Sequence, residues 1–373
     1  ARLHVGTAVY YCRRPRRRRH TTRSPPQGNR DSSLRMGSTA YQQGVEEILK
    51  GYAAGIDEGL VAVLSAIAKS TGSIGEHLKL ANGASKAGTD NAFGDEQLDV
   101  DLAADKIIFD EFKSCGAVAV AASEEKPVEA PMGGSSERLY SVGFDPLDGS
   151  SIIDANFAVG SIFGVWPGDK LLGRTGRQQV ASCMSQYGPR TTMAVALSAV
   201  TTGGDAVAFE LTFQSDAQRW VVTREKFDIA PAGKVFAPGN LRATADQPAY
   251  KRLFDHWVDN RYTLRYTGGM VPDVYHILIK NKGVFSNVSS AAAKAKLRLL
   301  YECAPIALLI EAAGGASVMA PSPGAASGGT PLSVLDVEID NLDKRLGLCL
   351  GGKKKWTCLI ALCSANLILG GGH

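Results

Sequence analysis

The chain predicts a layered fold of mixed helices and strands, α/β or α+β, on three observations. Apolar residues recur at three- and four-residue spacing in some segments and as short unbroken runs in others. Two of the unbroken runs end in acids, at 116–125 and 140–148. The 373 residues are 45% apolar, enough to bury a large core in one large domain or two smaller ones.

Residues 1–36, containing RRPRRRRHTTRSPP, carry ten Arg against the single acid Asp31. An Arg-rich, hydroxyl-bearing segment almost free of acid has the composition of an organelle transit peptide, and it lacks a secretory signal's apolar run. A nucleic-acid arm or a solvated tail are the competing readings. The net charge of +4 is local in origin, because that segment contributes +9 and the rest of the chain carries −5. The body therefore predicts no nucleic-acid partner.

Gly44–Lys69 reads as a helix, with Val45, Ile48, Leu49, Ile56, Leu60, Val63, Leu64 and Ile67 on a helical period. A second helix is expected from about Gln97 to Ser114. GAVAVAAS (116–123) fits a buried strand whose carboxyl end presents Glu124 and Glu125. YSVGFDPLDGSS (140–151) repeats that arrangement, a strand followed by a turn rich in Asp and Gly. Strands continue at 160–166 and 191–197, and alternation near 207–211 and 220–222 suggests antiparallel pairing. Helices and strands interleave from Lys251, ending in a helix over Leu299–Ala313 that Gly314-Gly315 stops. PSPGAASGGTP (321–331) reads as a flexible loop. The apolar part of the tail, 356–369, is shorter than the ~20 residues a membrane span needs, so no membrane partner is expected.

Seven cysteines at 12, 115, 183, 303, 349, 358 and 363 form no CxxC pair, which argues against a disulfide framework or a zinc site. Six histidines without ligand-like spacing agree. Carboxylates are the remaining candidates for metal chemistry. They are Asp95 and Asp101 in FGDEQLDVD, Glu124 and Glu125 after a strand, Asp145 and Asp148 in FDPLDGSS, and Glu302 in KLRLLYEC. Acids that follow apolar runs are costly unless paired or metal-bound. A turn through DPLD can aim both carboxylates and the Leu147 carbonyl at one hard divalent cation such as Mg²⁺. Gly149-Ser150-Ser151 then lets backbone N–H groups approach a phosphate. Each cluster has an ordinary alternative: Glu124-Glu125 as a solvated loop, GDEQLDVD as an acidic helix start, and Glu302 as a partner of Arg298 four residues earlier.

SEE, then FDPLDGSS about twenty residues on, then KLRLLYE before a Gly-Gly stop resembles the fructose-1,6-bisphosphatase superfamily, from roughly Gly44 to Asp343. FGDEQL, GSIFGVWPGDKLLG, YGPRTT, FAPGNLRAT, YTLRYTGGMVPDV and AKAKLRLLYE resemble its sedoheptulose-1,7-bisphosphatase branch. The resemblance implies an α-β-α-β-α sandwich, the sugar phosphatase fold of that superfamily. It divides the chain into a leader (1–36), an N-terminal subdomain with the metal site (37–235), a C-terminal subdomain with sugar-phosphate contacts (236–345) and an atypical tail (346–373).

By position, the resemblance implies Mg²⁺ ligands at Glu124, Asp145, the Leu147 carbonyl, Asp148 and Glu302, and catalytic acids at Asp95, Asp101 and Glu125. Substrate contacts are implied at Asp148, Gly149, Ser150, Ser151, Asn240, Tyr266 and Lys296, with Arg265 reaching a phosphate across a subunit interface. A sugar bisphosphate substrate, a homodimer and a plastid stroma location follow from the same resemblance. The regulatory Cys pair usual just before FGDEQ in plant plastid forms is missing from ANGASKAGTDNAFGDEQ. The stretch after SVLDVEIDNLDKR departs from the family, leaving its last strand and helix in question. The functions open at this point are hydrolysis of the seven-carbon bisphosphate, hydrolysis of fructose 1,6-bisphosphate or of both sugars, and an inactive sugar-phosphate-binding protein.

Overall fold

The computed structural model describes residues 44–81, 86–90, 96–320 and 332–353. The basic leader, Asp95, the loop 321–331 and the tail beyond Lys353 lie outside them.

The helix expected over 44–69 is two helices, α1 (Val45–Tyr52) and α2 (Glu58–Leu80). Periodicity alone hides the break, which Asp57 makes. Its carboxylate accepts the N–H groups of Gly59 (3.0 Å) and Leu60 (3.3 Å) as the cap of α2, a contribution of about 1 kcal/mol. β1 (Lys86–Asp90) and β2 (Glu96–Leu98) pair antiparallel and lead into α3 (Asp99–Cys115), which Gly116 ends at φ +70°. There follow β3 (Val118–Ser123), β4 (Ala130–Pro131), β5 (Tyr140–Asp148), β6 (Val159–Pro167), β7 (Ala181–Tyr187), β8 (Thr191–Leu197), α4 (Ala199–Thr202), β9 (Val207–Gln214) and β10 (Arg219–Arg224). These strands form an eight-stranded sheet ordered β10-β9-β8-β7-β6-β5-β3-β4, antiparallel except for the β3–β5 pair.

The second half runs β11 (Val235–Gly239), α5 (Pro248–Asp259), β12 (Thr263–Leu264), α6 (Met270–Lys280), β13 (Val284–Asn287), α7 (Ala304–Ala312), β14 (Ala316–Met319) and β15 (Leu348–Gly351). Its sheet is ordered β12-β11-β13-β15-β14. The strand left in question after Asp343 is therefore built: Leu348–Gly351 lies between β13 and β14, antiparallel to both and buried. The helix expected from Leu299 starts as a wider π-type turn over Leu299–Cys303, where the amides of Glu302 and Cys303 both bond the Arg298 carbonyl.

Strand alternation sorts side chains into three cores and so stacks the layers. Phe163, Cys183, Val195 and Phe209 face α1–α3, whereas their neighbours Ile162, Met184, Ala194 and Ala208 face α6 and α7. On the second sheet, Ala237, Phe285, Leu348 and Leu350 join that same α6–α7 core. Phe236, Val284 and Cys349 turn the other way, onto Tyr250, Leu253 and Trp257 of α5. The result is helix, sheet, helix, sheet, helix. Ala194 and Ala196 of β8 and Ala208 of β9 face α7 in that core. β7 has no expectation in the sequence because Ser182, Ser185 and Gln186 interrupt its apolar pattern; Ser185 is buried with its hydroxyl 2.9 Å from that of Thr71.

Candidate metal centre and phosphate groove

The parallel β3–β5 register pairs Ser123 with Phe144, so the next residues, Glu124 and Asp145, emerge together at the carboxyl ends. The Glu124 amide bonds the Phe144 carbonyl at 3.1 Å and fixes that alignment. The π-type turn brings Glu302 to the same place. One carboxylate oxygen from each of Glu124, Asp145 and Glu302 lies within 4.8 Å of the others.

Water is largely excluded here. Asp145, Asp148 and Glu302 are all buried. Burial pushes Asp145 far above the usual carboxylate range, and Glu124, Asp148 and Glu302 add their repulsion. Burial and Glu124 do the same to Glu302, although the Arg298 amide donates to its Oε2 at 2.5 Å. Four acids share one pocket, each making it costlier for the next to ionise. A hard divalent cation with carboxylate preference removes that cost, so the donor set fits Mg²⁺. The guanidinium of Arg298, itself buried, reaches Glu124 and places its Nε 3.0 Å from Asp343, partly offsetting the negative charge.

Asp148 is turned differently from the other three. Its carboxylate accepts the amides of Met270 (3.2 Å) and Val271 (2.6 Å) at the start of α6. Burial raises it, those amides pull it back, and Glu124 adds repulsion, leaving it at about 7. Asp145 caps its own turn, accepting the Leu147 amide at 2.9 Å. Gly149, at φ +82°, then turns the chain into a short 3₁₀ helix over Ser150–Ala155. A Cβ on Gly149 would stand 3.3 Å from the Cα of Gly269, so the two glycines let the DPLDGSS turn and the 267–270 loop approach.

Asp101, in the first turn of α3, accepts the Leu98 amide at 3.2 Å. Burial raises it, with Glu125 the largest repulsive neighbour, to about 7. Asp101 and Glu125 therefore form a second, adjoining acidic pair. Asp95 lies outside the described residues.

The remaining substrate candidates gather on loops of the second half. Lys296 is exposed and lines an open groove of 910 Å³ with Arg242, Lys294, Arg345, Ser289 and Ser290. The sequence reading did not single out Arg242, Lys294 or Arg345, because nothing local distinguishes a lone surface cation. Asn240 shapes this groove from behind: its Nδ2 donates to the carbonyls of Val288 (2.8 Å) and Ala293 (2.9 Å), and its buried Oδ1 has no hydrogen-bond partner among the described residues. Tyr266 is half exposed and electrically coupled to both regions. Partial burial raises its pKa, Asp273 and Asp148 add to the rise, and Arg242 opposes it. Asp273 accepts the amides of Thr267 (2.7 Å) and Gly268 (3.3 Å) and so holds the loop that carries Tyr266. Arg265 is exposed, with Nη1 on the Leu264 carbonyl. Asp343 joins the two regions, accepting Arg298 from the acidic side and Arg345 from the basic side, each at 3.0 Å. No helix among the described residues is long and apolar enough to cross a membrane.

Residues 44–223 match the family described as fructose-1-6-bisphosphatase, N-terminal domain, and residues 229–364 match its C-terminal domain. A chloroplastic sedoheptulose-1,7-bisphosphatase of Chlamydomonas reinhardtii is 48% identical over 295 residues, covering 79% of this chain and 71% of that protein. A class 1 fructose-1,6-bisphosphatase of Trichlorobacter lovleyi is 38% identical over 271 residues, 72% of this chain and 79% of that one. Among solved structures, a candidate sedoheptulose-1,7 bisphosphatase from Toxoplasma gondii superposes with TM-score 0.76 at 39% identity, covering 87% of this chain and 99% of the other. The holo fructose-1,6-bisphosphatase of Leishmania major gives 0.72 at 27% identity, covering 86% and 98%.

Proposed function

The chain belongs to the fructose-1,6-bisphosphatase family, which makes it a phosphoric monoester hydrolase, and on that premise we propose that it removes the 1-phosphate of sedoheptulose 1,7-bisphosphate with Mg²⁺. The observation that carries the chemistry is the trio of carboxylate oxygens within 4.8 Å, on Glu124, Asp145 and Glu302. The choice of the seven-carbon sugar rests on identity: 48% to the chloroplastic relative against 38% to the bacterial fructose enzyme.

Glu124, Asp145 and Glu302 would hold Mg²⁺, with the Leu147 carbonyl and Asp148 beside them. When bound, the ion supplies charge that stabilises phosphate and leaving alkoxide and lowers the pKa of water. Glu125, paired with Asp101, takes the proton of the attacking water, and Asp101, titrating near 7, shares that proton. Asp95 belongs to the same acidic group by its position in FGDEQ. The amides of Gly149, Ser150 and Ser151 cradle the 1-phosphate. Hydrolysis forms a P–O bond to the water oxygen and breaks the one to the sugar's C1 oxygen, which takes up a proton in place of the one given to Glu125.

The groove holds the remote phosphate, with Lys296, Arg242 and Arg345 as cations and Tyr266 against the sugar. Asn240 acts through the 288–293 loop that it fastens. Binding there orients the reacting end without changing between ground and transition state. Arg265, free to extend from the surface, serves a neighbouring subunit's site in a homodimer. The chloroplastic name of the relative and the Arg-rich composition of residues 1–36 support a plastid location.

The test is phosphate release from both bisphosphates, with and without Mg²⁺. Mg²⁺-dependent release favouring the seven-carbon sugar is expected. A preference for fructose 1,6-bisphosphate would replace the substrate, and Mg²⁺-independent or absent release from folded protein would overturn the reading.

A further inference from the structure

The turn that carries Glu124 and Glu125 is tied to α3 by a second pair of charges, Asp105 and Lys126, outside the machinery described so far. Asp105 lies one helical turn beyond Asp101 on α3, so both carboxylates share a face of that helix. Its side chain is only 1% exposed. Oδ2 accepts Lys126 Nζ at 2.7 Å, while Oδ1 has no hydrogen-bond partner among the described residues. The same ammonium sits 4.9 Å from the ring centroid of Phe109, the next turn of α3.

Lys126 also closes the turn itself. Its amide donates to Ser123 Oγ at 2.9 Å, and its carbonyl accepts the Ser123 amide at 3.2 Å. Glu124 and Glu125 are the two residues spanned by those bonds. Strand pairing with β5 runs only to Ser123↔Phe144. Beyond that point the orientation of the turn depends on local contacts, and Lys126–Asp105 is an ion pair that ties it to α3, one helical turn from Asp101.

A buried carboxylate with one oxygen unbonded, paired to a Lys that is 55% exposed, is a poor source of stability. It is well placed for orientation. We infer that the Asp105–Lys126 pair is a positioning device that sets the direction of Glu124 toward the metal cluster and of Glu125 toward Asp101. This rests on the proposed Mg²⁺-dependent phosphatase, and neither residue belongs to the proposed metal ligands or substrate contacts.

The test uses the full chain with Lys126→Met, Lys126→Arg, Asp105→Asn and the double variant Asp105→Leu/Lys126→Met. For each, kcat, KM for the sugar bisphosphate, the Mg²⁺ concentration for half-maximal rate and the Mg²⁺-induced rise in Tm are measured. Lys126→Met should lower kcat and weaken Mg²⁺ by about 10-fold or more, as loss of an orienting contact behind a ligand does, with sugar KM within about twofold. Lys126→Arg should recover most of the loss, whereas the double variant should regain Tm but not kcat. If Asp105→Asn fails to fold, the Lys126 variants still decide the matter. Variants that lose Tm while keeping wild-type kcat and Mg²⁺ dependence would overturn the inference and leave a structural ion pair. A wild type that gains Tm with Mg²⁺ but releases no phosphate would overturn the phosphatase reading. In that case, loss of the Tm gain in Lys126→Met would still support the positioning role.

Discussion

The acidic cluster and the basic groove sit on either side of Asp343, and they hold charge in opposite ways. Glu124, Asp145, Asp148 and Glu302 are at strand ends and turns fixed by the backbone, three of them buried, and all crowd like charge into a dry space. Arg242, Lys294, Lys296 and Arg345 surround an open groove, Arg242 from a short 3₁₀ helix over Leu241–Ala245, where water screens them. The first region gathers buried acids whose repulsion a cation would relieve, so on the proposed reading its contribution is specific to the reacting phosphate. The second offers cations in contact with solvent, so on the proposed reading its contribution is to binding. Chemistry and affinity should therefore separate on mutation.

The largest break in that comparison is Asp145→Asn. Removing one buried ligand should cost several kcal/mol of charge stabilisation, about a thousandfold in kcat at 1.36 kcal/mol per decade. Steady-state kinetics should show sugar KM little altered. Glu125→Gln should follow, with kcat down about a hundredfold or more from loss of the proton acceptor, while Mg²⁺ binding followed by calorimetry stays near wild type.

The groove should behave differently. Lys296→Met with Arg242→Met should raise KM about tenfold and leave kcat within a few-fold, since the two cations act on a remote phosphate. Raising salt from 50 to 500 mM should raise the wild-type KM and leave the double variant's nearly flat. If kcat falls as far as KM rises, the groove takes part in the reacting geometry and the separation fails.

A pH series sharpens the contrast further. Asp101 and Asp148 titrate at about 7 in the folded, metal-free protein, above their ordinary value of 3.8. Between those values the folded state binds more protons than the unfolded one. Metal-free stability should therefore fall as pH rises from about 4 to about 7. Mg²⁺ competes with those protons, so the Tm gained from Mg²⁺ should be larger at pH 8 than at pH 5.5. A gain that is flat or falls with pH would mean that these acids do not face the ion.

Much of the acidic region was legible in the sequence, for a physical reason. A buried acid after an apolar run is an anomaly visible within ten residues, and FDPLDGSS adds a turn that aims two of them. Glu302 was ambiguous because Arg298 stands at the helix-pairing distance. In the structure the Arg298 amide holds Glu302, and its guanidinium reaches Glu124 and Asp343. Asp148 was read as a ligand, and its carboxylate is found capping α6, which pattern alone could not reveal.

The groove and the positioning pair were not legible. Arg242 and Arg345 are a hundred residues apart, and Asp105 and Lys126 are joined only by the packing of α3 on the sheet. Strand β15 was obscured by an unfamiliar sequence, yet LCLG is buried throughout, with Leu348 and Leu350 facing the α6–α7 core and Cys349 facing the α5 core. What fixes such a strand is the pair of open edges on β13 and β14, and these exist only after the fold forms.

The most direct test of the central claim is a crystal of the full chain soaked with Mn²⁺ in place of Mg²⁺, examined for anomalous scattering. The account predicts a peak bonded to Glu124, Asp145 and Glu302, with the Arg298 guanidinium displaced from Glu124. A peak elsewhere, or none at a concentration that supports phosphate release, would contradict it.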